Sequence, residues 1–371
     1  HTRQTSIMKP IPFFDHRLMH DAISDELKGA FADFLSGDML ILGDQVTAFE
    51  KEFGAYQSSA YAAGVNSGLD ALILSLKALG IGAGDEVIVP ANTYIATWNA
   101  IQLAGAVPVP VEPDVTTMNI HIDNILPAIK KRTKAILPVH LYGLPCQMRH
   151  IMNVADAHDL YVIEDNAQAV GASVNGKKTG TWGYINATSF YPTKNLGALG
   201  DGGMVTSDDV DLIAKVKSLR NYGSSRRYVS QAIGMNSRLD ELQAAMLRIK
   251  LRKLDQWLAE RKQIAKQYLE GLKDVSEITL PVDDPNHTYH LFVIRCDDRD
   301  ALAAHLDKQG ISTLIHYPIP PHLQEAYRFL KYTPGSFPIT ESIADTCLSL
   351  PLYYGFKRVD EVVEAIRGYY K

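Results

Sequence analysis

Between about residue 57 and residue 210, short runs of β-branched and apolar residues alternate with longer segments whose apolar positions recur at helical spacing. Glu86–Pro90 (EVIVP), Val107–Val111 (VPVPV), residues 135–139 (AILPV), Tyr161–Asp165 (YVIED) and residues 187–190 (ATSF) read as strands. Residues 68–79, 94–103 and 148–158 have the pattern of amphipathic helices. Strands that are apolar on both sides, separated by helices, predict an α/β fold with a mostly parallel sheet covered on both faces. Such sheets collect ligands at the carboxyl ends of their strands.

The pattern changes after residue 238. Residues 239–272 (LDELQAAMLRIKLRKLDQWLAERKQIAKQYLEGL) carry one long helical pattern, rich in helix formers and charged on its outer face. A strand at 289–295 (YHLFVIR), a helix at 299–309, a strand at 312–317 (STLIHY) and a terminal helix at 360–370 follow. This predicts a large α/β domain over 1–255 and a smaller C-terminal α+β domain over 256–371, a size division that 371 residues allow.

Charge and composition narrow the partners. The formal net charge of −5 gives no general polyanion-binding surface, so no nucleic-acid partner is expected. No apolar run approaches the roughly 20 residues that span a bilayer, so no membrane partner is expected either. The opening HTRQTSIMKPIPFFD lacks a signal-peptide core, and Met8 is a candidate natural start. Cys146, Cys296 and Cys347 are far apart and match neither a disulfide framework nor a metal-ligand spacing. No metal is expected, and a reducing cytoplasm is the simplest setting.

Four stretches carry candidate chemistry. SFYPTKNLGALGDGG sets Lys194 just past a strand end, beside glycines that permit unusual backbone angles. Taken alone, Lys194 reads first as a solvated turn residue. Desolvated, its amine would be a nucleophile suited to bonding a carbonyl. VIEDNAQAVGA ends an apolar strand on Asp165, either a helix cap or the counter-ion of a protonated ring nitrogen, with Gln168 three residues on. In GVNSGLDALILSLKAL, Asn66-Ser67-Gly68 opens a helix, as an ordinary cap or as a phosphate site. PANTYIATWNA puts Tyr94 past a strand end, as core or as a ring stacked on a flat cofactor. Each signal is ambiguous singly. Their order along an α/β chain is the layout of a fold-type-I pyridoxal phosphate enzyme.

SFYPTKNLGALGDGGMV, VIEDNAQAVGA, PVHLYG, PANTYIAT and GMNSRLDELQAA resemble the signatures of the DegT/DnrJ/EryC1/StrS sugar aminotransferases over essentially the whole chain. LRNYGSSRRY and IHYPIPPHLQEAY look most like members that aminate C3 of a dTDP-linked 3-keto-6-deoxyhexose, giving dTDP-3-amino-3,6-dideoxy-galactose or -glucose. The resemblance implies pyridoxal 5'-phosphate as cofactor (pyridoxamine 5'-phosphate between half-reactions) and L-glutamate as amino donor. It also implies a product destined for surface polysaccharide, an O-antigen or S-layer glycan. Lys194 matches the lysine bonded to the cofactor, Asp165 the acid at the ring nitrogen, Gln168 the residue near the ring oxygen and Tyr94 the stacking aromatic. Ser67, Gly68 and Ser189 match phosphate-binding positions. Leu69 stands where threonine is often found, so its contact would be backbone only. Asn236 matches an asparagine that reaches the neighbouring subunit's cofactor, which implies a homodimer with shared sites. Members that dehydrate carry histidine at the position of Lys194, so dehydration is not expected here.

For the nucleotide sugar, the cations and aromatics of RNYGSSRRY are candidates: Arg220, Tyr222, Arg226, Arg227 and Tyr228, or else a solvated basic loop. Tyr191, His316, Tyr317 and His322 are expected to line the sugar pocket; a proline-stiffened connector is the alternative for the last three. His140 is expected near the site, in a chemical or a structural role. The rival readings are an aminotransferase for a 4-keto nucleotide sugar, a non-catalytic regulator on the same fold, and, more remotely, a nicotinamide-dependent oxidoreductase, which the absent glycine fingerprint disfavours.

Overall fold

Seven strands, β1 (Tyr61–Val65), β2 (Glu86–Pro90), β3 (Val107–Val111), β4 (Thr133–Ile136), β5 (Tyr161–Asp165), β6 (Ile185–Ser189) and β7 (Gly203–Ser207), form one sheet in the order β1-β7-β6-β5-β4-β2-β3. The computed structural model describes residues 9–371, so the proposed start at Met8 lies outside the described residues. All pairings are parallel except the two made by β7, which runs against β1 and β6. The parallel α/β expectation therefore holds, with one reversed strand.

Side-chain alternation along each strand explains the layers. Val87, Val89, Ala135 and Ile163 point to one face, where Leu72, Leu76, Trp98, Ile101 and Val216 cover them. Ile88, Ile136 and Val162 point to the other, against Met148, Ile151 and Ala155. Each such fully buried aliphatic side chain contributes about 1.5–3 kcal/mol. The helices that supply these covers are α1 (Gly68–Ala78), α2 (Ile95–Leu103), α3 (Met148–Ala157) and α4 (Val210–Leu219).

The segment at 239–272 is not one helix. It divides into α5 (Glu241–Leu251) and α6 (Leu254–Leu272), with Lys253 at φ −104° and its N–H bonded to Lys250 O at 3.0 Å. Ala244, Leu247 and Leu251 of α5 and Leu254 and Leu258 at the start of α6 pack with Phe49, Phe53 and Phe190, whereas Ile264, Ala265, Tyr268 and Leu272 further along α6 pack with the C-terminal elements.

The C-terminal elements are β8 (Phe292–Arg295), α7 (Arg299–Lys308), α8 (Pro338–Thr346), β9 (Cys347–Leu350) and α9 (Val359–Tyr369), with β8 and β9 antiparallel. The expected strand at 312–317 is corrected to an extended segment with one bridge, Leu314 to Ser349. Ser312, Leu314 and His316 turn to a cavity instead, and Pro318 and Pro320 beyond them have no N–H for a ladder. Ile11 joins this second core, with its N–H bonded to Gly310 O at 2.7 Å.

Candidate active site

The carboxyl ends of β5 and β6 and the turns after β1 and β2 open into a cavity of about 950 Å³, closed on its far side by the C-terminal core. It holds Ser67, Gly68, Leu69, Tyr94, Asp165, Gln168, Ser189, Tyr191, Lys194, His316 and Tyr317, eleven of the positions expected from sequence.

The turn from β1 into α1 is tight because two glycines allow it. A Cβ on Gly68 would lie 2.6 Å from Ser189 Cβ, and one on Gly203 would lie 2.3 Å from Ser67 O. The ends of β1 and β6 and the start of β7 thus meet almost backbone to backbone. Ser67 caps α1, its Oγ accepting from Asp70 N–H at 3.1 Å. That leaves the N–H groups of Gly68 and Leu69 free at the positive end of the helix, which suits a phosphate.

Asp165 ends β5 and is 5% exposed. One carboxylate oxygen accepts from Thr97 Oγ1 at 2.9 Å and the other from Ala167 N–H at 3.1 Å. Burial pushes its pKa up, while those two hydrogen bonds, Lys194 and His140 pull it down. Gln168 is committed on both sides: Oε1 accepts from Tyr142 N–H at 2.6 Å, and Nε2 donates to Tyr317 Oη at 3.0 Å. Tyr94, half-exposed before α2, stands with its ring 5.1 Å from that of Tyr317.

Lys194 occupies the turn after β6, its N–H bonded to Tyr191 O at 2.8 Å. Desolvation lowers its amine to about 8, against the opposing attraction of Asp165. Lys194 is only partly exposed and lines the cavity, a placement that favours the chemical reading over a freely solvated turn. His316 is lowered to about 4 by burial and by Lys194, and its Nδ1 lies 2.7 Å from Ser349 Oγ.

Several expected residues lie outside the cavity. Arg220 is corrected from a substrate contact to a structural ion pair: it is buried, with Nη1 bonded to Glu50 Oε1 and, at 2.7 Å, to Gly64 O. His322 is corrected likewise, since Nε2 meets Glu341 Oε1 at 2.9 Å and the ring packs 4.9 Å from Phe337. Glu341 in turn accepts from the N–H groups of Gly335 and Phe337, so His322 fastens a loop. Tyr222 and the exposed hairpin that follows it (Ser224–Arg226 with Val229–Ser230), which carries Arg226, Arg227 and Tyr228, do not line the cavity, and exposed Asn236 pairs with Asn221 at the hairpin's base. His140 is structural: Nδ1 accepts from Cys146 N–H at 3.0 Å, so Nε2 donates to the buried Glu164 at 2.9 Å.

Thr97, Arg261 and His290 are among the lining residues that went unforeseen. Thr97 lies one helical turn past Tyr94, a spacing that could have flagged it. Arg261 falls on the apolar stripe of α6 between Leu258 and Ala265, where a cation is out of place. His290 left no signal.

An amine that gives up its proton more readily than an ordinary lysine suits bonding to an aldehyde, a buried carboxylate suits a protonated ring nitrogen, and a glycine-tight helix start suits a phosphate. The residues fit pyridoxal 5'-phosphate, and the site defines a fold-type-I enzyme dependent on it. Comparison with known proteins narrows the class. The DegT/DnrJ/EryC1/StrS aminotransferase family matches residues 21–367. A dTDP-3-amino-3,6-dideoxy-alpha-D-galactopyranose transaminase of Aneurinibacillus thermoaerophilus is 49% identical, covering 97% of this chain and 99% of the relative. The erythromycin biosynthesis sensory transduction protein EryC1 of Saccharopolyspora erythraea is 48% identical, over 96% and 99% of the two chains. S. venezuelae DesV, solved by X-ray crystallography in complex with a ketimine intermediate, superposes with a TM-score of 0.96 at 45% identity, over 98% of this chain and 99% of that one. The chain belongs to the DegT/DnrJ/EryC1/StrS family and is a pyridoxal phosphate-dependent sugar-nucleotide aminotransferase.

Proposed function

We propose that this enzyme transfers the amino group of L-glutamate to C3 of a dTDP-linked 3-keto-6-deoxyhexose. The product would be a dTDP-3-amino-3,6-dideoxyhexose for surface polysaccharide. The observation that carries the reading is Lys194, an amine lowered to about 8, in one cavity with Asp165 and the Gly68 cradle. The name of the Aneurinibacillus relative supplies the choice of C3 and of the dTDP sugar.

When bound, the cofactor supplies an aldehyde that takes up the amino group and a cationic ring that spreads the charge left by a departing α-proton. The protein supplies the rest. The N–H groups of Gly68 and Leu69 and the Ser67 and Ser189 hydroxyls would hold the phosphate. Tyr94 would offer the ring a stacking face. Asp165, itself fixed by Thr97 and Ala167, would favour a protonated ring nitrogen. Lys194 would hold the cofactor through its Nζ and, as a free amine, would carry a proton on and off carbon. Leu291 and Leu352, both buried, give the cavity an apolar wall. Tyr191, His316 and Tyr317 are assigned to the sugar.

A homodimer with shared sites is part of this reading. Tyr228 is 89% exposed and Ile233 93% exposed around the hairpin, which suits insertion into a second subunit's site together with Asn236 and the hairpin arginines. The division near residue 255 is retained as the domain boundary, because the chain changes cores along α6. A cytoplasmic setting is proposed on the three free, buried cysteines.

Purified enzyme incubated with glutamate and either the dTDP-3-keto or the dTDP-4-keto 6-deoxyhexose tests the assignment, with products identified by mass spectrometry and NMR. Amination of the 3-keto sugar is expected, with little from its isomer. Faster amination at C4 would sink the regiochemistry, and no amine product from either would sink the substrate class.

A further inference from the structure

The proposed donor brings a carboxylate into a cavity whose known parts leave one cation unused. Arg261 projects from α6 and is 5% exposed. Its Nε donates to Tyr289 O at 3.0 Å, and Nη2 donates to His290 O at 2.8 Å and Leu352 O at 3.0 Å. These three carbonyls fix the plane of the guanidinium. No carboxylate pairs with it among the described residues, and Nη1 has no protein acceptor there. Arg261 nevertheless lines the same cavity as Lys194.

A guanidinium taken out of water without a counter-ion is costly unless a ligand supplies one. Burial also holds this group's pKa down at about 9, as expected for a cation lacking an anion. His290 stands beside it, 5% exposed, lining the cavity with Nδ1 unpartnered. Its pKa lies well below the usual range, from burial and then from Lys194 and Arg261, so the ring is neutral and free to donate one hydrogen bond.

We propose that Arg261 Nη1 and the His290 ring form the subsite that holds a carboxylate of the amino donor. This rests on the aminotransferase reading with a carboxylate-bearing donor. The anion's shape decides between the reaction's two substrates. A sugar-nucleotide diphosphate carries a bulky group on each side and needs an open channel, whereas a terminal carboxylate needs only a buried end wall. Arg261, fixed on three carbonyls with one free edge, is such a wall. A carboxylate also matches the planar edge of a guanidinium better than it matches an ammonium.

The test uses the pyridoxal phosphate-loaded enzyme and two probes that undergo no chemistry: glutarate, a dicarboxylate without an amine, and dTDP. Calorimetry on wild type and Arg261→Gln should show glutarate binding weakened about 10- to 100-fold, the loss expected for a charge-assisted hydrogen bond, with dTDP binding unchanged. The rate of cofactor discharge by glutamate, followed by absorbance, should show a KM raised by a similar factor. Arg261→Lys, which keeps the charge, should bind glutarate with intermediate affinity and is read in the same way if the glutamine variant does not fold. Equal loss of dTDP binding would move Arg261 to the nucleotide site, and unchanged binding of both probes would make it purely structural; either overturns the inference. A wild-type crystal with glutarate seated away from Arg261 Nη1 would overturn it without recourse to any variant. Failure of glutamate to discharge the wild-type cofactor would instead sink the donor reading, and the subsite with it. Discharge of wild type with no change in Arg261→Gln sinks the subsite alone.

Discussion

Lys194 in the cofactor-free protein is held at a cost to stability, and that cost can be measured. Its pKa falls from 10.5 to about 8 on folding, chiefly through desolvation. The unfolded chain therefore holds its proton over a pH range where the folded chain has released it. Stability rises with pH wherever the unfolded state binds more protons, so the penalty is full below about pH 8 and fades as pH approaches 10.5. At about 1.4 kcal/mol per pH unit, the shift from 10.5 to about 8 is worth about 3 kcal/mol at pH 7. Lys194→Met keeps most of the volume and removes the charge. Cofactor-free Lys194→Met should be more stable than cofactor-free wild type by that amount at pH 7, and by under about 1 kcal/mol at pH 10. With an unfolding entropy of about 2.1 cal/mol/K per residue over 371 residues, the gain is about 4 °C in Tm at pH 7 and about 1 °C at pH 10. Differential scanning calorimetry at both pH values provides the measurement, and the variant should have no transaminase activity. A gain absent at pH 7, or one that does not shrink by pH 10, would refute the desolvation argument.

Arg220→Met leaves the buried Glu50 with the Gly64 N–H at 2.9 Å and the half-exposed Lys217 at 2.7 Å, so it should cost about 3 kcal/mol in chemical denaturation while leaving the KM for the sugar nucleotide unchanged in the folded fraction. Gly68→Ala forces a Cβ to 2.6 Å from Ser189 Cβ, and spectrophotometric titration should show pyridoxal phosphate binding weakened tenfold or more, as a strain of about 1.4 kcal/mol or above implies. Asn236→Ala should speed loss of pyridoxal phosphate on dialysis about fivefold, the worth of one hydrogen bond of about 1 kcal/mol; unchanged retention would argue against a shared site.

The large domain was legible because its strands are buried on both faces. Val87, Ile88 and Val89 are all fully buried, so sequence shows a solid apolar run where a half-exposed strand would alternate. β1 and β7 are buried too but escaped notice, because YAAGV and GMVTS hold glycine and small residues where backbones meet closely, which dilutes the β-branched signal. The break between α5 and α6 was illegible because neither proline nor glycine marks it.

The same distinction separates the site residues that sequence found from those it misplaced. Lys194, Asp165, Ser67 and Gly68 stand at the ends of strands or the start of a helix, so a correct reading of the elements carries them to the cavity. Arg220 and His322 were assigned by side-chain type, as a cation for a diphosphate and an imidazole for a sugar. Type does not say which way a side chain turns. A buried carboxylate was waiting for Arg220 in Glu50, 170 residues away in the chain, and such a partner outcompetes any ligand because it is always present. Arg261 is the converse case: a cation on an apolar stripe, paired only with carbonyls, whose missing counter-ion points to something the protein does not itself contain. A charged residue is thus informative about function in proportion to how poorly the chain neutralises it.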